Sequence, residues 1–297
     1  MSRALLVFLT LACLSVVAAG CGRPPISDER ARDETTAEET TAESTTETTG
    51  PAAVEGSPEL AAATDEYEEY VAEQLALFED RTRGFTDAVL AGEVEKAKGL
   101  YAPAREPWER VEPIAASFGD YDPNIDAREG DVPEDWRGFH RIEKALWVEN
   151  TTGGQDEYAR QLMDDVQNLR EEAKGVELEP VDLVTGSVGL LNEVSAGKIT
   201  GEEDRYSHTD LYDINVNIEG SEAAVEELKP EVAGEDMTLA NDVEEGFDSV
   251  HDELDQYRRG DGWVSYETLN EADRRALSQK VDALAEPLSR VGQVLEG

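Results

Sequence analysis

The chain has few of the residues that make covalent frameworks or soft metal sites. Two cysteines occur in 297 residues, and Cys13 lies inside an apolar N-terminal run. A chain cut after that run keeps only Cys21, which excludes a disulfide framework and a thiolate metal site. Histidine is nearly as scarce, with only His140, His208 and His251 present. A di-metal oxidase site built on two Glu-x-x-His elements is thereby disfavoured, since neither His208 nor His251 has a glutamate three residues earlier. Basic side chains number 26 against 68 acidic ones, a formal net charge of −42. Nucleic acid and anionic lipid surfaces are poor partners for such a chain, whereas cations are favoured. After the N-terminal run there is no apolar stretch long enough for a membrane span and no convincing alternating strand pattern.

The segment MSRALLVFLTLACLSVVAAGC has a basic residue at Arg3 and a short apolar run ending in small residues. It reads as a secretory signal over residues 1–20. Ala18, Ala19 and Gly20 before Cys21 have the form of a lipobox, with Ala18 where a leucine is usual. Cys21 is therefore expected to carry a lipid and anchor the protein on the outer, periplasmic or extracellular, face of the cytoplasmic membrane. Loss of the signal removes Arg3 and no acid, so the net charge falls from −42 to −43. Residues 21–56 contain ARDETTAEETTAESTTETTG. Such Thr- and Glu-rich chain without aromatics cannot bury enough apolar surface to offset ordering, and it reads as a solvated, disordered tether.

Ser57 followed by Pro58 has the form of a helix N-cap with proline at the first helical position. The folded domain is expected to span 57–297. In EYEEYVAEQLALFEDRTRGF the apolar residues Tyr67, Tyr70, Val71, Leu75, Phe78 and Phe85 recur at helical spacing. Further helices are predicted at 93–117, 136–149, 156–175, 180–196, 210–229, 236–259 and 271–295, with breaks at glycine-containing stretches. The predicted fold is all-α, as two antiparallel helical bundles.

Two pairs share a three-residue spacing, although a Glu-x-x-Glu taken alone carries no signal in a chain this acidic. WERVEP places Glu109 and Glu112 on one helical face, and Pro113 predicts a kink just beyond. GFHRIEKALW places His140 and Glu143 at the same spacing. An imidazole and a carboxylate on one face suit Fe, Mn, Zn or Cu. The same spacing also fits a histidine paired with a carboxylate at the edge of an aromatic core. It is not the His-Glu-x-x-His of a zinc protease.

Three long blocks, YAPAREPWERVEPIAASFGDYDPNIDARE, WRGFHRIEKALW and LLNEVSAGKITGEEDRYSHTDLYDINVNIEG, resemble in order the imelysin-like proteins of the EfeO and EfeM type. The resemblance covers the chain from about Ser57 onward. It implies an extracytoplasmic component of an iron uptake system, working with an EfeU-like iron permease and an EfeB-like haem peroxidase. The tether leads directly into helical segments, so the shorter EfeM-like form without a cupredoxin domain is expected. Carried over by residue, the resemblance makes His140, Glu143, Glu109, Glu112, Asp126 and Glu203 metal ligands, with Glu202 as the alternative to Glu203. Arg128 and His208 are expected to orient those ligands.

The expected function is thus capture of iron, as Fe2+ or Fe3+, by a non-enzymatic lipoprotein, with Cu2+ or Zn2+ as other possible ligands. A metal-dependent imelysin-type peptidase and a cation-mediated polysaccharide-binding module are the alternatives. Because a metal needs neutral imidazole, binding is expected to fall below about pH 6.5.

Overall fold

Ser57 caps the first helix as its sequence suggests, its Oγ accepting the Leu60 backbone N–H at 3.1 Å. Pro58 fills the first position of α1 (Pro58–Leu90). The computed structural model describes residues 57–132 and 135–295, so the signal, Cys21 and the tether lie outside the described residues.

After α1 the chain turns back into α2 (Val94–Val111). The helix expected over 93–117 ends early. Pro113 has no N–H to continue the ladder, and Glu112–Phe118 tightens into a 3₁₀ turn. Next come α3 (Tyr121–Asp126), α4 (Phe139–Trp147) and α5 (Asp156–Glu172). The sequence pattern had not shown α3, which spans six residues and includes Pro123.

The second half begins with α6 (Pro180–Ala196), where expectation and structure agree. One helix expected over 210–229 is two, α7 (Asp210–Glu226) and α8 (Lys229–Glu235), because Pro230 starts a new helix. α9 (Met237–Leu254) stops short of the expected 259, and α10 (Glu271–Leu295) matches. Between α9 and α10, β1 (Arg258–Arg259) pairs antiparallel with β2 (Gly262–Trp263), a minor exception to the all-helical pattern.

α1 packs on α2 and α5, and α4 on α2, making one bundle; α6 packs on α7 and α10, and α10 on α9, making the other. The first bundle closes over an aromatic core of Phe78, Phe85, Tyr101, Trp108 and Phe139, with ring centroids 5.4–6.1 Å apart. Truncating one such buried ring costs about 3–5 kcal/mol. Leu191, Val194, Leu277, Leu284 and Leu288 fill the second core.

The bundles join where α2 packs on α7. A Cβ on Gly220 of α7 would stand 2.1 Å from the Arg110 carbonyl oxygen of α2, so only glycine lets these backbones meet. α7 consequently buries polar as well as apolar faces, and the polar one lies against α2.

Candidate metal centre

Tyr101, Arg105 and Glu109 lie at four-residue intervals on α2, followed by Glu112, and form one polar stripe. Asp210, Asp213 and Asn217 form the facing stripe on α7, all fully buried. The 3₁₀ turn Lys198–Thr200 contributes Lys198, and the segment after it contributes Glu203 and Asp204.

His140 is brought to this interface by a close backbone approach. Gly138 caps α4 with φ 88°, and a Cβ there would stand 2.2 Å from the Ile125 carbonyl. The first turn of α4 is thus pressed on the end of α3, which places His140 Nε2 3.4 Å from Asp126 Oδ1. Glu203 Oε1 lies 3.7 Å from the same nitrogen. Asp126, His140 and Glu203 are one group of ligand atoms close enough to hold a single cation.

The other ring nitrogen meets a second group, with Glu143 and Asp204. Nδ1 is 3.1 Å from Glu143 Oε2 and 3.1 Å from the Tyr101 hydroxyl, which itself donates to Asp204 Oδ1 at 2.9 Å. Glu143 is firmly held. Its Oε1 accepts the Tyr206 N–H at 3.0 Å, the Ser207 N–H at 2.8 Å and the Ser207 hydroxyl at 2.9 Å. A carboxylate on Nδ1–H fixes the ring so that Nε2 faces Asp126 and Glu203.

Two buried cations run through the cluster. Arg105 donates to Asp126 and Glu109, and its Nη2 reaches Asp213 Oδ2 at 3.1 Å. Lys198 Nζ lies 2.8 Å from Glu109 Oε2 and 2.7 Å from Glu112 Oε2. Asn217 donates to both glutamates, at 3.0 and 2.7 Å.

Burial alone would raise every carboxyl here, and the local partners decide which ones stay ionised. Lys198 and Arg105 hold Glu109 below its usual range. Arg105 and His140 do the same for Asp126, Lys198 and His140 for Glu203, and His140 and the Ser207 donors for Glu143. For Glu112, Asp204 and Asp213 burial prevails and the carboxyl is pushed up; Asp210 rises to about 7. Burial and Arg105 oppose a charge on His140, but Asp126, Glu143 and Glu203 outweigh them and raise its pKa well above the ordinary value.

Asp126 and Glu203 also line a cavity of about 550 Å³ between α6, the 3₁₀ turn after α2 and the chain beyond α3. Glu112, Asp122, Asp131 and Glu193 share its wall, with Arg128 as the basic side chain among the lining residues. Arg128 bridges Glu203 Oε2 and Asp131 Oδ2, each at 2.8 Å.

The structure therefore brings Asp126, His140, Glu143 and Glu203 together, whereas Glu109 and Glu112 sit on Lys198 outside both ligand groups. Of the alternatives at 202 and 203, Glu203 is buried and Glu202 is exposed beside Arg205. Arg128 donates to one candidate ligand, Glu203. His208 instead faces Glu267 at 3.6 Å.

Sequence reasoning missed Tyr101, Arg105, Lys198, Asp204, Asp210 and Asp213. The signal available for some of them was the polar stripe 210, 213, 217 interrupting the apolar face of Leu211, Ile214 and Ile218. Arg105 four residues before Glu109 was another such signal.

Residues 63–291 match the imelysin family. The chain belongs to that family. It is 45% identical over 241 residues to the iron uptake system component EfeO of Escherichia coli K12, covering 80% of this chain and 64% of that protein. It is also 45% identical over 250 residues to an Efem/EfeO family lipoprotein of Staphylococcus haemolyticus, covering 82% of this chain and 86% of the relative. A solved structure of an iron-regulated protein A precursor from Parabacteroides distasonis superposes with a TM-score of 0.64 over 80% of this chain and 95% of that one. At 16% identity that likeness bears on the fold alone, and it is the imelysin fold of two helical bundles.

Proposed function

We propose that this imelysin-family protein captures a hydrated iron cation outside the cytoplasmic membrane and passes it to an uptake permease. The observation that carries this reading is the convergence of Asp126 Oδ1, His140 Nε2 and Glu203 Oε1 beside an acid-lined cavity, with separations of 3.4 and 3.7 Å from the imidazole nitrogen. Ligands about 2.1 Å from one ion stand roughly 3.0–3.5 Å apart, so modest movement would seat a cation. One imidazole with carboxylate oxygens suits Fe(II) or Fe(III) and also admits Cu(II) or Zn(II). The anionic wall attracts free cations and repels anionic chelates and acidic polysaccharides.

The names of the EfeO relatives support assignment to an iron uptake system. The lipoprotein relative supports anchoring at Cys21, and no described helix is long and apolar enough to cross a membrane. An EfeU-like permease would take the ion, and an EfeB-like haem peroxidase would act alongside. Against the peptidase chemistry suggested by the family's name stands the Arg105 guanidinium, which donates to Asp126 and lies 3.2 Å from His140 Nε2, where that chemistry needs an open metal position for water.

The test is calorimetric titration of the soluble domain with anaerobic Fe(II), then Fe(III), Cu(II) and Zn(II), alongside a peptide-cleavage assay. Iron should bind, and His140→Ala should weaken it by more than about tenfold, the factor equivalent to 1.4 kcal/mol. Equal affinity in both proteins for every metal would refute the site. Cys21→Ser should move the full chain from the membrane to the soluble fraction.

A further inference from the structure

Among the described residues, Arg105 is the one side chain with polar contacts to every member of the Asp126, His140 and Glu203 group. Its Nη1 donates to Asp126 Oδ1 and lies 3.2 Å from His140 Nε2, while Nη2 is 3.8 Å from Glu203 Oε1. A guanidinium against these three atoms uses the same carboxylate lone pairs that a cation needs. Neutral His140 Nε2, 3.2 Å from Nη1, has a single lone pair, so guanidinium and ion cannot both hold it.

We propose that Arg105 is a built-in competitor: its guanidinium stands in for the cation among Asp126, His140 and Glu203, and an incoming ion displaces it toward Asp213. This inference rests on the cation-binding reading above.

Two orphaned atoms support it. Arg105 Nε is fully buried without a hydrogen-bond partner, and so is Asp213 Oδ1. A guanidinium in a finished structural site would satisfy its donors, because an unpaired buried donor carries its full desolvation penalty. Here Nε is 3.9 Å from Asp204 Oδ1, too far to bond, while Asp213 holds Nη2 through Oδ2 at 3.1 Å and keeps Oδ1 without a partner. A small swing toward α7 would pair Nε with that free oxygen and release Asp126. The flanking rings of Tyr101 and Phe139, with centroids 5.7 and 5.9 Å from Cζ, give the guanidinium a flat surface to move along.

The function of such a device is release. A carrier that must give up its ion gains from a tethered cation that returns to the ligands as the cargo leaves, and affinity is set by the difference between the two occupants.

The decisive experiment is anaerobic calorimetric titration of wild type and Arg105→Gln with Mn(II) and Fe(II), with circular dichroism as a folding check. Wild type should bind, and the variant at least about tenfold more tightly. If wild type binds and the folded variant binds equally or less well, Arg105 is a supporting residue and the inference fails while the capture reading stands. If neither protein binds, the capture reading fails and this one with it. Should the variant not fold, a crystal structure of Mn(II)-loaded wild type gives the answer. Arg105 moved off Asp126 and His140 Nε2 supports displacement, and Arg105 still seated there beside the bound ion overturns it.

Discussion

Glu143 and His140 are coupled at 3.1 Å through Nδ1, and the glutamate is fixed by three donors from Tyr206 and Ser207. The ring orientation is thus set by a segment more than sixty residues away in sequence. Glu143→Gln keeps the shape but weakens the grip on Nδ1–H. Metal affinity should fall about 10- to 100-fold, the usual effect of losing such a partner. Titration of the folded variant checks this, and an unchanged affinity would mean that Glu143 is only a helix-to-loop fastener.

The raised pKa of His140 gives a pH dependence with two signs. Folding supplies carboxylate partners for the imidazolium, so its stability contribution is fully present below about pH 6.5 and is lost as pH rises through the elevated folded pKa. Cation binding needs the neutral ring, so affinity climbs with pH through the same window. The loss expected only below about pH 6.5 from the sequence should therefore begin at higher pH. Titrations between pH 6 and 9 in buffers of different ionisation enthalpy should show proton release on binding. A flat affinity across that range would contradict a raised His140.

Lys198 is the sole lysine contact of Glu109 and Glu112 among the described residues. Lys198→Met leaves two facing carboxyls without their ammonium, and breaking such a buried pair costs about 3–5 kcal/mol. Because Glu109 is depressed in the folded state, its part of this stabilisation is present above its unfolded pKa and fades as pH falls through the folded one. Urea denaturation should show a large loss at pH 7.5 that shrinks in acid.

Gly220→Ala would push a Cβ to 2.1 Å from the Arg110 carbonyl. Overpacking of this kind costs about 1–3 kcal/mol, or more where backbone must move. Gly189→Ala, with open space around it, is the control and should stabilise α6 by about 0.5–1 kcal/mol. Differential scanning calorimetry should show the two melting temperatures moving in opposite directions.

The sequence shows helices wherever apolar spacing runs long, so α6 and α10 match to the residue. Its failures have local causes. Pro113 and Pro230 divided what periodicity joined, and six-residue α3 is too short to show a period. His140 with Glu143 was legible because three-residue spacing on one helix is a local fact. Lys198 with Glu109, 89 residues apart, leaves no such trace, since the pairing exists only after α2 meets α7. Asp204 and Asp213 were hidden for a further reason: in a chain with 68 acids, a carboxylate attracts notice only once its burial is known.

The bare meeting of Gly220 with Arg110 has one more consequence. Main chain resting on main chain, with no side chain as a bearing between them, cannot slide or rock as interlocked ridges can. The two halves of the molecule are riveted at that spot, behind the stripe that carries Arg105 and Glu109. A hinge between α2 and α7 would have to break that close seat first. Room to seat and release a cation is thereby left to the side chains of that stripe and to the non-helical stretch from Gly201 to Thr209 that bears Glu203 and Asp204.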